Sequence, residues 1–447
     1  MACRVSSALF GLLLICGCYD SHFAADDAAQ DGGVQDANTP DIRNEDVPPC
    51  RGPVDWRIDV PGAAFMHASA TREGWRISGE AELPLDDSTS WLADRDGALS
   101  APTALVDAPW GAGSDRVFAG DSEGTIRIQR ITESGEVDWR GEHRHGQTMR
   151  TMEVIEDGRA AYVVGTMTNT DGDRDALVAR FDETGSVEWA QVFDRGETSN
   201  EWVIGAFIDA AGRLVVANHL FLGLGVGDPV PVWVFALSAG GDLVWEHVQD
   251  GYGPASSWGL VHDDAGMFLV GTLAHFDVRG GLQTMRLSTE GEVLWTTRVD
   301  DGSERRHEVR IVMPTPDGGY LLAGQINGAV GGGLGGGGHV WKLNAAGAVV
   351  WTASPGDFRT SITNMAAFED GYILVSQNHV NERTWMAFVG IGQDGVVRWR
   401  HEEEGLRNRV GISDMVPNER GEVLAVGFST EGPTRLATAI QFGQRCR

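Results

Sequence analysis

The chain has 447 residues, with 64 acidic against 35 basic side chains and a formal net charge of −29 at neutral pH. Such acidity argues against a nucleic-acid backbone or an anionic membrane surface as partner, because both select clustered Lys and Arg. Lys342 is the only lysine, so nearly all the positive charge is carried by arginine.

Met1 to Arg4 places one positive charge ahead of an uncharged apolar run, Val5 to Ile15, the n-region and h-region of a signal peptide. That run is too short for a membrane-spanning helix, which needs roughly 20 residues, and no later stretch is long and apolar enough. Ile15-Cys16-Gly17-Cys18 resembles the bacterial lipobox, with an aliphatic residue three places before the cysteine and a small one just before it. The resemblance implies a signal peptide over 1–17 and a lipid on Cys18; an ordinary secretory signal with a chance cysteine is the alternative. Tyr19 stands where inner-membrane retention in enteric bacteria uses Asp, so the expected destination is the outer membrane, with the leaflet left open. Residues 18–49 then form the lipidated N-terminus and an acidic linker, Asp20 to Asp46 opposed by Arg43 alone, whose composition predicts an extended, disordered tether.

From residue 50 to the end, two ladders repeat. Gly-x-x-x-Trp recurs at Gly135 to Trp139, Gly185 to Trp189, Gly241 to Trp245, Gly291 to Trp295, Gly347 to Trp351 and Gly395 to Trp399, with a further copy at Gly52 to Trp56 and a worn one after Asp94. Most copies have a short polar residue three places before the Gly, as in Asp182, Ser238 and Asn344. This predicts a type I turn closed by a left-handed Gly and a strand ending in a Trp that packs between repeats. The second ladder is a short apolar strand, usually left through a small residue at 79, 120, 165, 218, 271, 324, 376 and 427. Continuous apolar runs of this length read as strands covered on both faces.

Eight repeats of about 50 residues with four strands each predict an all-β, eight-bladed β-propeller over 50–447. The last repeat lacks its own Trp strand. Gly52 to Trp56 is expected to supply it and close the ring, which would bring Cys50 and Cys446 together as a disulfide in an oxidising compartment.

The repeat unit Ala176 to Trp189 resembles those of PQQ-like (quinoprotein-type) propellers and of related secreted bacterial propellers, over residues 52–443. The resemblance is specific for fold and poor for function. Its dehydrogenase members carry a vicinal Cys pair over the cofactor, absent from this sequence, and their calcium ligands and catalytic Asp match no position here. No cofactor is therefore expected. The order of lipid anchor, tether and eight blades also looks like the lipoprotein propeller of the outer-membrane β-barrel assembly machinery.

Little chemistry is motif-encoded. His143 and His145, two apart on a strand, could face one metal but lack a carboxylate in a recognised pattern, and solvated histidines are the better reading. Asn169, Asp171, Asp173 and Asp175 alternate as in an oxygen-rich calcium loop, with Gly172 permitting a sharp turn, but an acidic hairpin loop is preferred because no bidentate acid is fixed beside them. Inner strands offer only scattered Arg150, Glu201, Glu308, Arg310 and Asp414.

The expected protein is a monomeric, non-catalytic binding or scaffold propeller for an envelope or surface protein or a glycan, held to the membrane by lipid alone. The alternative is a carbohydrate-active or quinone-dependent enzyme using the central channel. The binding side is expected where second-to-third and blade-to-blade connections emerge, since insertions concentrate there. Of these, Phe221 to Pro231 carries apolar Phe221, Leu222, Leu224 and Val226, whereas 331–338 is nearly all glycine.

Overall fold

Each apolar run of the second ladder forms the second strand of a four-stranded antiparallel sheet, and among the described residues eight such sheets can be traced. The computed structural model describes residues 54–443 except 62–63, 71–73, 81–87, 95–102, 105–111, 114–116, 133–135, 159, 171, 197–199, 222–230, 250–257, 264–265, 274–280, 300–304, 330–336, 356–361, 381–382, 404–409, 419 and 432–433. These connections, with residues 1–53 and 444–447, lie outside the described residues, which places Cys18, Cys50, Cys446, Leu222, Leu224, Val226 and Asp171 there too. Among the described residues no helix is long and apolar enough to cross a membrane.

The first strands of successive sheets lie beside one another, and the fourth strands lie outermost. The middle strands are therefore covered on both faces. Leu214–Phe221 is buried up to its last residue, and all of Val232–Leu237 is buried. The alternation appropriate to a half-exposed strand would have failed here, because sheet packs on sheet from either side. The apolar residues just after Gly241, Gly291 and Gly347 are instead exposed: Leu294 is 55% and Val350 56% accessible.

The Gly and Trp of the first ladder turn out to be partners across sheets. Gly291, Gly347 and Gly395 have φ of 78°, 79° and 79°, the left-handed conformation that an Ala would resist. A Cβ on Gly347 would also stand 2.5 Å from Cζ3 of Trp295 in the preceding sheet, and one on Gly291 2.5 Å from Cε3 of Trp245. The indole N–H completes the contact. Those of Trp189, Trp245 and Trp351 donate to the carbonyls of Ala239, Thr289 and Gln393, each at 2.9 Å, in the turn of the next sheet. One Trp thus seals the seam that one Gly leaves open.

The second ladder needs correction. Its small residue does not end the strand; Ala160–Thr168 runs three residues past Gly165 and Tyr320–Ala329 five past Gly324. Instead Gly79, Gly165, Asn218, Gly324, Ser376 and Gly427 pair with the residue at which the first strand bulges. The bulge drives the first strand's backbone inward, so that a Cβ on Gly324 would fall 1.9 Å from the carbonyl oxygen of Glu308. The same extension shortens the glycine insertion, because Gly337 and Gly338 pair with Ile326 and Gln325.

Two sheets depart from the pattern. Among the described residues the first sheet's fourth strand, after the worn copy at Asp94, is Thr103–Ala104, and the second sheet's first strand is Ala112–Gly113. At the other end of the unit, Val54–Pro61 pairs with Thr434–Phe442 and so joins the eighth sheet. First and eighth sheets touch: the Trp75 indole N–H donates to Gln441 Oε1 at 2.7 Å, and the Ala68 N–H to Asp414 Oδ2 at 3.1 Å.

Candidate functional site

In a four-stranded antiparallel sheet, first-to-second and third-to-fourth connections leave one end, and second-to-third and sheet-to-sheet connections leave the other. The first may be termed the turn end, closed by the Gly–Trp contacts. The connection end carries the chemistry. It is densest where the third sheet (first strand Thr148–Asp157) meets the fourth (first strand Asn200–Ile208).

Asp175 opens the third strand Arg174–Phe181, Asp194 follows directly on the fourth strand Val187–Phe193, and Glu201 is the second residue of the next sheet's first strand. All three positions therefore fall at the connection end, and one carboxylate oxygen from each lies within 4.8 Å of the others. Glu201 is fully buried and Asp175 only 5% exposed, while Asp194 is open to solvent. Burial, then repulsion from Asp194 and Asp173, push the Asp175 carboxyl up to about 6 against a hydrogen bond from Asn169.

Cations and rings surround the acids. The guanidinium of Arg174 stands 4.8 Å and that of Arg150 5.6 Å from the ring of Trp202, and Arg195 stands 5.2 Å from that of Trp233. Arg195 also bridges the seam: its backbone N–H reaches Glu201 Oε1 at 3.3 Å and its Nη1 donates to Glu246 Oε2 at 2.7 Å. Beneath them His219 is buried, and burial pulls its imidazole down to about 3, so it is neutral at any ordinary pH. Phe221, edge-on to His219 at 5.9 Å between centroids, is 38% exposed at the strand's end.

Asn169 and Asp173 close the hairpin on themselves, through Asn169 N–H to the Asp173 carbonyl at 2.8 Å and Asp173 N–H to Asn169 Oδ1 at 2.9 Å. Among the described residues of this loop Asp175 joins Asp194 and Glu201. Sequence reasoning named Glu201 as an isolated inner-strand acid and missed Asp194. The usable signal was topological, since all three positions fall at one end of adjacent sheets.

The other inner-strand candidates make structural contacts, Asp414 between sheets and Glu308 with Arg310 within one. Asp414 receives the Ala68 N–H of the first sheet, and Glu308 takes the Gln325 amide at 2.7 Å and pairs with Arg310 at 2.5 Å. The reading of both residues as solvated histidines needs correction at His145, whose side chain is buried against a carboxylate. Asp121 Oδ2 lies 2.7 Å from His145 Nε2, and its Oδ1 accepts the Met149 N–H of the third sheet at 3.2 Å, which ties two sheets. Lys342 is also structural. It occupies the position of Arg180 and Arg286, next to last in a third strand, where those pair with Asp157 and Asp263. Its Nζ donates to Thr315 Oγ1 and Asp317 Oδ1, both at 2.7 Å. That bond, then the one from Thr315, holds the Asp317 carboxyl down to about 2.

Serial four-stranded antiparallel sheets with their first strands side by side define a β-propeller. The chain matches no protein-family model and no curated protein. Among solved structures it is similar to YCF48 bound to D1 peptide, at 11% identity and a TM-score of 0.45 over 88% of this chain and 96% of that one. It is similar to the periplasmic gluconolactonase PpgL of Pseudomonas aeruginosa at 14% and 0.44, over 77% and 96%. A neuraminidase-like protein from A/little yellow-shouldered bat/Guatemala gives 10% and 0.41, over 68% and 97%. These are likenesses of fold.

Proposed function

We propose that this protein is an exported, lipid-anchored propeller that works by binding, without catalysis, through the connection end of its third and fourth sheets. The observation that carries the reading is the group of Arg150 and Arg174 on Trp202, Arg195 on Trp233 and half-exposed Phe221. Arginine and aromatic side chains dominate binding hot spots, because a stacked guanidinium is already ordered before the partner arrives. The partner is an envelope or surface protein or a glycan, reached from Cys18 across the acidic tether. In this reading the ring has eight blades and is closed by Val54–Pro61, with a Cys50–Cys446 disulfide that peptide mapping without reductant would detect.

The test is in-cell photo-crosslinking from position 221 and, on the opposite end, from the exposed turn residue Glu183. Position 221 is expected to yield a discrete adduct that Trp202→Ala abolishes, and position 183 none. An adduct from 183 alone would move the working surface to the turn end. Cys18→Ser is expected to release the protein from membranes; retention as in the wild type would refute the anchor.

A further inference from the structure

We infer that Asp175, Asp194 and Glu201 form a site for one calcium-like divalent cation that clamps the third sheet to the fourth. The acids come from three separate segments and from both sides of the seam, yet offer one oxygen each within 4.8 Å of one another. Oxygens bound to a single calcium at about 2.4 Å can stand at most about 4.8 Å apart, so each pair is within that limit, and three oxygens at it need draw in by only a few tenths of an ångström to share one ion.

The second observation is Oδ1 of Asp175, which is buried with no hydrogen-bond partner on a side chain that faces the other two acids. A buried carboxylate oxygen without a donor or cation carries an uncompensated desolvation cost. The neighbouring guanidinium groups do not relieve it. Arg195 spends its charge on Glu246 and the Trp233 ring and reaches Glu201 through its backbone N–H, while Arg174 stacks on Trp202. Oxygen-only ligands select a hard cation over zinc or copper, and a cluster drawn from three segments suits the looser geometry of calcium better than the tight octahedron of magnesium. Open Asp194 gives the ion a way in and room for water ligands.

The test uses the full-length protein, stripped with chelator, in about 0.15 M salt so that diffuse attraction to an acidic surface is screened. Terbium is titrated while tryptophan is excited, since Trp202 follows Glu201 in sequence, and calcium is then added as competitor. Expected are sensitised emission saturating at one ion per chain and its displacement by calcium. Asp194→Asn and Glu201→Gln should each weaken binding by at least about tenfold, as loss of one ligand to a hard cation would. Glu183→Gln, an exposed acid at the turn end, should change nothing. The site is refuted if wild type binds no calcium in the millimolar range, or if Asp194→Asn binds as wild type does. Equal weakening by Glu183→Gln would also refute it, by showing surface charge alone. Should Glu201→Gln fail to fold, Asp194→Asn decides, because residue 194 is exposed.

Discussion

At the turn end of this propeller the described seams from the second sheet to the seventh repeat one another: a left-handed Gly, an indole laid over it from the preceding sheet, and in three seams the indole N–H on the turn's carbonyl at 2.9 Å. At the connection end no two described seams are alike. Asp121, paired with His145 of its own sheet, joins the second sheet to the third through the Met149 N–H, whereas Thr166 Oγ1 joins the third to the fourth by accepting the Val203 N–H at 3.0 Å. The contrast shows where the fold is specified and where it is free to vary. One end carries the packing that recurs from sheet to sheet, so the other can hold buried acids, a neutral histidine and stacked arginines that belong to one seam alone.

The sharpest way to break the turn end is Gly347→Ala. Left-handed backbone strain and the clash with Trp295 together should cost about 2–5 kcal/mol, read as a lower denaturant midpoint. A loss under about 1 kcal/mol would mean that the ring moves aside easily and the seam is not tightly packed.

Acid should separate the two ends. His219 takes a proton near 6.5 when unfolded but only at about 3 when folded, so the unfolded state binds more protons between those values and stability falls as pH drops through that window. Asp317 at the turn end, held down to about 2, keeps its contribution until pH falls below about 3.8 and loses it on the way to 2. Asp175 works the other way. Raised to about 6, it contributes stability below about 3.8 that disappears as pH rises through 6, so wild type must be compared with His219→Leu. The leucine variant should lack a loss of about 1–3 kcal/mol between pH 6.5 and 4. Parallel pH profiles for the two proteins would show that His219 already reaches its proton in the folded state.

The periodic part of this architecture was legible because Gly-x-x-x-Trp and the apolar runs recur at nearly fixed spacing, and spacing is what a repeat imposes. What each Gly is for was only half legible. Gly165 and Gly324 read as strand ends, since a glycine after an apolar run looks like an exit, whereas the bulge that requires them lies some 15 residues upstream, about one strand and its turn. The acid cluster was less legible still. Asp175, Asp194 and Glu201 belong to three segments whose approach depends on strand register, and the alternation at 169–175 drew attention to a loop that closes on its own backbone. Phe221 was singled out as an apolar side chain entering an insertion, and it ends its strand 38% exposed.

The smallest expected effect is also the cleanest control on the comparison. Gly172 has φ of 87°, close to the 79° of Gly347, but a Cβ there would meet nothing within 4 Å. Gly172→Ala should therefore cost only the backbone term, about 1 kcal/mol. The excess for Gly347→Ala over Gly172→Ala isolates the indole contact, and a double-mutant cycle checks the assignment. In a Trp295→Ala background the ring is gone, so Gly347→Ala should fall to the cost seen at Gly172, leaving a coupling of about 1–3 kcal/mol between residues in successive sheets. If instead the cost at Gly347 is unchanged without the indole, strain alone explains the glycine. The Trp and Gly of neighbouring repeats would then be two independent features that happen to touch, and the turn end would lose its claim to be the specified one.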